Sequence, residues 1–230
     1  TRRGVDTAHI VWGNNIAILT GDLLFARASN LVSGLGQEAL QLQAKIFEQL
    51  VLGQLHETIG PIDQEDPVDH YIQVLRDKTG SLIALAAQLG AMLSGADSSF
   101  QKPLEEFGQS IGVAFQLIDD IIDIESTKSQ SGKVSGTDLL AGVPTLPVLL
   151  LAKHDDSKSV KLLADISSGL DVASLPEVLE RLRAHPVMEE SKLETRRWAE
   201  AAIAAIAPLP KGKVRTALEA FALAVVERKG

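Results

Sequence analysis

The stretch that most constrains this chain is Phe115–Asp123, which reads Phe-Gln-Leu-Ile-Asp-Asp-Ile-Ile-Asp. As a helix it sets Gln116, Asp119, Asp120 and Asp123 at spacings of three and four, hence on one face. The rest of the perimeter, from Val113 to Ile124, is almost wholly apolar. Such a helix is buried on most sides yet carries three carboxylates in a line, and no Lys or Arg stands between Lys102 and Lys128 to neutralise them. Like charges one turn apart destabilise a helix, and burying them unpaired costs far more. Compensation has to come from outside the segment, and hard divalent cations, which take oxygen ligands, suit it. The competing reading is a solvated polar face. That face would normally interleave basic residues and have less apolar flanks.

The rest of the composition narrows the field. With 22 Lys and Arg against 30 Asp and Glu, the net charge of -8 argues against a nucleic-acid binder. The absence of Cys removes disulfides, thiolate metal sites and thiol nucleophiles, and fits a cytoplasmic protein. Scarce aromatics with abundant Ala and Leu favour helix over sheet. No apolar run is expected to span a membrane, and no signal-peptide pattern opens the chain. At 230 residues one sizeable core is affordable. The expectation is an all-α, single-domain helical bundle over 1–230.

Apolar residues recur at helical spacing from Ala8 to Ala28, with Gly21 inside the run, where close packing of a neighbour would justify it. Gly34-Leu35-Gly36 superficially matches a dinucleotide fingerprint. A helix rather than a strand precedes it, so it reads as a break before a helix from about Glu38 to Thr58. His56-Glu57 lacks the second His of a zinc-protease helix. Asp66-Pro67 opens another helix, with Pro in the first turn. Its pattern stumbles at Lys78-Thr79-Gly80-Ser81 before resuming over Leu82–Leu93, which suggests a kink that turns Lys78 and Thr79 toward a cavity. The central helix follows from about Lys102 to Ser126. A polar stretch, Ser126–Ser135, then carries Gly132-Lys133 but lacks the first glycine and the hydroxyl of a phosphate-cradling Walker loop. Pro144 and Pro147 suit the first turn of a very apolar helix. Amphipathic helices are expected at Val160–Ser167, Leu175–Ala184, Val187–Ala207 and Lys211–Arg228, jointed by Pro186, Pro208 and Pro210.

Taken together, these residues resemble the trans-isoprenyl (polyprenyl) diphosphate synthase family. The stripe Gln116/Asp119/Asp120/Asp123 is similar to its second aspartate-rich motif, and Thr1-Arg2-Arg3-Gly4 to the arginine pair that follows the first. Trp12-Gly13-Asn14, Gly21-Asp22, Lys78-Thr79, Gly132-Lys133, Gly136-Thr137-Asp138-Leu139 and Thr145-Leu146-Pro147 fall in the family's order. The resemblance covers essentially the whole chain. It implies an all-helical fold around a deep central cavity, usually a homodimer, and condensation of isopentenyl diphosphate with an allylic diphosphate. It also implies Mg²⁺ held by Asp119, Asp120 and Asp123 against the allylic diphosphate. Arg2, Lys78, Thr79, Gln116 and Lys133 would contact that headgroup, with Lys78 and Lys133 as the catalytic cations and Lys133 as a lid contact. Arg3 would contact isopentenyl diphosphate. The chain departs from the family at Val143, where a second Lys is often found. The first aspartate-rich motif and the helices before it are expected upstream of Thr1, so the chain reads as N-terminally incomplete.

Breaking an allylic C–O bond leaves negative charge on diphosphate and positive charge on carbon. Metal ions and cationic side chains stabilise the first, and a dry apolar chamber protects the second. A class I terpene cyclase shares the aspartate-rich logic, but its partner metal motif is not evident after the stripe. A catalytically silent regulatory subunit is the other alternative, although it would have no need of an intact stripe with Lys78 and Lys133.

Overall fold

The structure is a computed structural model that describes residues 5–126 and 135–228. Among these residues it is all-α, with no β-sheet. The chain divides into two compact units, Thr1–Phe47 and Glu48–Gly230.

The first unit holds α1 (Ala8–Trp12), α2 (Asn14–Ser33) and the first half of α3 (Gln37–Ile59). The expected run from Ala8 is interrupted at Gly13, whose φ of 82° only glycine adopts cheaply. The break before α3 falls where the glycines predict it, with Gly36 at φ 107°. Phe25 and Phe47 stack with ring centroids 4.0 Å apart, and the Gln43 amide donates to Ser29 Oγ at 3.1 Å. Gly21 has no neighbour within 4 Å of where a Cβ would stand, so close packing does not explain it here. None of α2 is buried, and Ile16, Ile18, Leu19, Leu23, Leu24 and Leu31 are exposed. By length and composition only, α2 is apolar enough to cross a membrane. Asp22 and Arg27 stand within it, and either charge costs about 2.5–3.5 kcal/mol near a bilayer centre.

In the second unit, α4 (Pro67–Leu75) opens as the sequence predicts. Asp66 caps it, accepting from the amides of Val68 at 2.8 Å and Asp69 at 3.3 Å, with Pro67 in the first turn. The expected stumble is a π-helical turn, Arg76–Gly80, from which α5 (Ser81–Leu93) continues with helical backbone. Such turns insert an extra residue and often mark functional sites. After a short 3₁₀ turn comes α6 (Gln101–Glu125), the acidic helix. It packs against the π turn and α5 through bare backbone. A Cβ on Gly112 would lie 2.4 Å from the Cα of Gly80, and one on Gly108 2.3 Å from the Cα of Ala84.

The remaining helices are α7 (Thr137–Leu140), α8 (Leu146–Leu151), α9 (Ser157–Ser167), α10 (Leu175–Arg183), α11 (Val187–Ala205) and α12 (Lys213–Val226). One core joins Phe107, Ile111, Ile118, Ile121 and Ile124 of α6 to Leu179 and Leu182 of α10, Met188 and Ala202 of α11, and Val225 of α12. The α6 helix is therefore central, and its acid stripe has to emerge between packed neighbours. A cavity of about 960 Å³ opens among α6, α11 and α12, with Ile121, Ile122, Arg196 and Ile203 in its wall and Arg228 at its edge.

Candidate functional site

The site is built outward from α6. Its C-terminal carbonyls are held by a side chain from α10: the Arg183 guanidinium donates to the oxygens of Ile124 at 2.7 Å and Ser126 at 2.9 Å. A cation there also suits the negative end of the helix dipole. Ser135 Oγ donates to the Ser126 carbonyl at 2.5 Å, and the Gly136 amide to the Asp123 carbonyl at 2.9 Å. Ser126, Ser135 and Gly136 are thus held together at the foot of the acidic helix.

On the stripe itself the three carboxylates have different surroundings. Asp120 is 3% exposed and accepts a short hydrogen bond from the Tyr71 hydroxyl of α4. Burial pushes its carboxyl up to about 7; the Tyr71 and Gln116 hydrogen bonds oppose this, while the charges of Asp138 and Asp119 add to it. Burial, reinforced by the negative charge of Asp120, drives the Tyr71 hydroxyl far above its ordinary range. The Tyr71 proton therefore stays in place to serve the carboxylate. Asp123 accepts from the Asp138 amide at 3.2 Å. Burial and the charge of Asp123 raise the Asp138 carboxyl. Asp119 Oδ1 meets Arg228 Nη2 at 3.0 Å.

Lys78 lies in the π turn, where its ammonium meets Glu57 of α3 at 2.5 Å. The same face of α3 packs on that turn. Gln49 donates to the buried Asp77 at 2.7 Å, and a Cβ on Gly53 would stand 2.6 Å from the Cβ of Asp77. Thr79 and Gln116 are half-buried. Arg2, Arg3 and Lys133 lie outside the described residues.

Gln116, Asp119, Asp120 and Asp123 thus share one helix, and Asp138 joins them from α7. Tyr71 and Arg228 were not picked out from the sequence as site residues. The available clue to Tyr71 was its being the chain's single tyrosine, beside a kink. Arg228 carried no signal beyond terminal charge.

The donor set fits a divalent cation. All its ligating atoms are oxygens, and two of its carboxylates, Asp120 and Asp138, are held above their ordinary range by burial and by acidic neighbours. A cation is what such a group lacks. Among the described residues no three His, Asp or Glu side chains converge into a ready-made cage.

Residues 1–182 match the polyprenyl synthetase family model. The chain is 43% identical over 230 residues to the nonaprenyl diphosphate synthase of Mycobacterium tuberculosis, covering 100% of this chain and 69% of that protein. It is 32% identical to heptaprenyl diphosphate synthase component 2 of Bacillus subtilis, covering 99% of this chain and 65% of that one. The structure superimposes with a TM-score of 0.86 on geranylgeranyl pyrophosphate synthase from Corynebacterium glutamicum, crystallised with calcium and isoprenyl diphosphate. That pair is 40% identical, over 97% of this chain and 70% of the other. The chain spans about two thirds of the length of these relatives.

Proposed function

This chain belongs to the polyprenyl synthetase family and has the all-α isoprenoid synthase fold, and from that premise we propose that it is the catalytic portion of a trans-prenyltransferase. The reaction joins isopentenyl diphosphate to an allylic diphosphate through ionisation, condensation and loss of a proton. The observation that carries this reading is Asp120: a buried carboxyl raised further by the charges of Asp138 and Asp119, with no cation among the described residues offsetting it.

Asp119, Asp120 and Asp123 would hold Mg²⁺, with Asp138 alongside. When bound, the metal supplies charge neutralisation for the departing diphosphate. The chain's own residues do the rest. Tyr71 and Gln116 donate to Asp120 and aim its free lone pairs. Glu57 fixes the direction of the Lys78 stem, and with Thr79 in the same π turn Lys78 presents a cation and a hydroxyl to the allylic headgroup. Gln116, Arg2 and Lys133 complete the contacts to that headgroup, and Arg3 contacts isopentenyl diphosphate. Two unit charges about 4 Å apart at an effective dielectric of 20 interact by roughly 4 kcal/mol. One such contact made only as the C–O bond breaks is therefore worth orders of magnitude in rate.

The proposed assembly is a cytoplasmic homodimer built on one isoprenoid synthase domain, 1–230. The exposed apolar residues of α2 support it, since a second copy would remove them from water.

The test replaces Asp119 by Ala in the full-length gene product and measures incorporation of labelled isopentenyl diphosphate with Mg²⁺. Turnover should vanish, and near-normal turnover overturns the metal assignment. The silent regulatory subunit is the alternative reading, and the same full-length product tests it. An inactive full-length product that restores activity to a partner subunit would establish it.

A further inference from the structure

Arg228 stands on the last described turn of the chain, just beyond α12, and its guanidinium is held on α6 from two sides. Its Nη2 lies 3.0 Å from Asp119 Oδ1, and its central carbon lies 4.7 Å from the centroid of the Phe115 ring. Phe115 and Asp119 are one turn apart, so ring and carboxylate form a single seat for a planar cation. Arg suits such a seat better than Lys, because it stacks and forks at once. The seat includes the first acid of the proposed metal stripe.

We propose that Arg228 is a stand-in cation: in the metal-free chain it neutralises Asp119, and a divalent cation has to displace it. The proposal rests on the metal reading of the stripe. Two positive charges cannot share one carboxylate at close range without mutual repulsion, so guanidinium and metal compete for Asp119. Competition is reciprocal. Metal binding weakens the hold of Asp119 on Arg228 by the same factor that Arg228 weakens the metal. The end of α12 is thereby coupled to the state of the site, because the closing helical bond there, Glu227 N–H to the Leu223 carbonyl at 3.2 Å, lies beside the released arginine.

Mn²⁺ is titrated into the 230-residue chain at low salt without substrate, with the free ion followed by electron paramagnetic resonance. Circular dichroism checks the fold of each variant. Arg228→Gln should bind Mn²⁺ about two- to fivefold more tightly than the parent, the range of an exposed ion pair. Asp119→Asn should bind at least tenfold more weakly, and adding Arg228→Gln to it should change nothing further. In the parent, Mn²⁺ or Mg²⁺ should also speed amide exchange at Val226 and Glu227, an effect lost in Asp119→Asn. If Asp119→Asn weakens binding but Arg228→Gln leaves it unchanged, the stand-in role is overturned and the metal reading stands. If Asp119→Asn binds as the parent does, the metal reading itself falls.

Discussion

Asp120→Asn should stabilise the metal-free chain, and the gain should depend on pH in a way that identifies its cause. In the folded state burial holds the Asp120 carboxyl at about 7, whereas in an unfolded chain it titrates near 3.9. Between those values the folded state binds the proton and the unfolded state does not, so stability from this group falls as pH rises. Below pH 4 both states are protonated and the penalty disappears; above pH 7 both are ionised and the folded state bears all of it. At 1.36 kcal/mol per pKa unit, the shift amounts to about 4 kcal/mol at pH 8 and roughly 1.5 kcal/mol at pH 5. Asparagine keeps the shape and an oxygen for the Tyr71 hydroxyl, and it never ionises. Urea denaturation of parent and variant in EDTA should therefore show a stability difference that widens by about 2–3 kcal/mol between pH 5 and pH 8. Titrating groups that do not interact with Asp120 are common to both proteins and cancel in the difference. A difference that stays flat across that range would refute the claim that an ionised, uncompensated Asp120 burdens the fold. The same substitution should weaken divalent-cation binding, the usual cost of relieving strain at a working site.

Further outcomes follow from neighbouring contacts. Tyr71→Phe removes the hydroxyl that favours ionised Asp120, so the Asp120 titration, followed by carboxyl carbon NMR without metal, should move upward; a downward move contradicts the assignment. Gly112→Ala drives a methyl toward the Gly80 Cα, and a loss of about 1–3 kcal/mol is expected by urea denaturation. Arg183→Ala leaves the carbonyls of Ile124 and Ser126 without their charged donor. A loss of about 1.5–3 kcal/mol is expected, with faster amide exchange at the C-terminal turn of α6. Saturating Mg²⁺ should raise the melting temperature of the parent by an amount that grows with metal concentration, and Asp120→Asn should blunt that rise.

The sequence was most legible where the signal is local. The apolar period of α6, the Asp66 cap with Pro67, and the glycine break before α3 are decided within a few residues, and the structure places each close to where the pattern puts it. Element ends were less secure. α9 starts at Ser157 instead of Val160 because Asp156 caps it, and α12 starts after Gly212. The helix-helix seam and the π turn were visible only as a stumble, since nothing in Lys-Thr-Gly-Ser says which glycine of another helix will meet it. The acid stripe was readable as a candidate site because its spacing lies within one helix. Its supports were not, because Tyr71 and Asp120 are 49 residues apart and Arg183 and Ile124 59. Contacts of that range depend on how helices dock, which periodicity does not encode.

The packing of Gly112 on Gly80 and of Gly108 on Ala84 has one more effect. Where main chain rests on main chain, no side chain is available to swing aside, so the gap between the lysine-bearing turn and the acidic helix has no soft coordinate. Any adjustment to a larger or smaller headgroup has to come from long side chains, such as Lys78, reaching across a spacing that the two backbones hold constant.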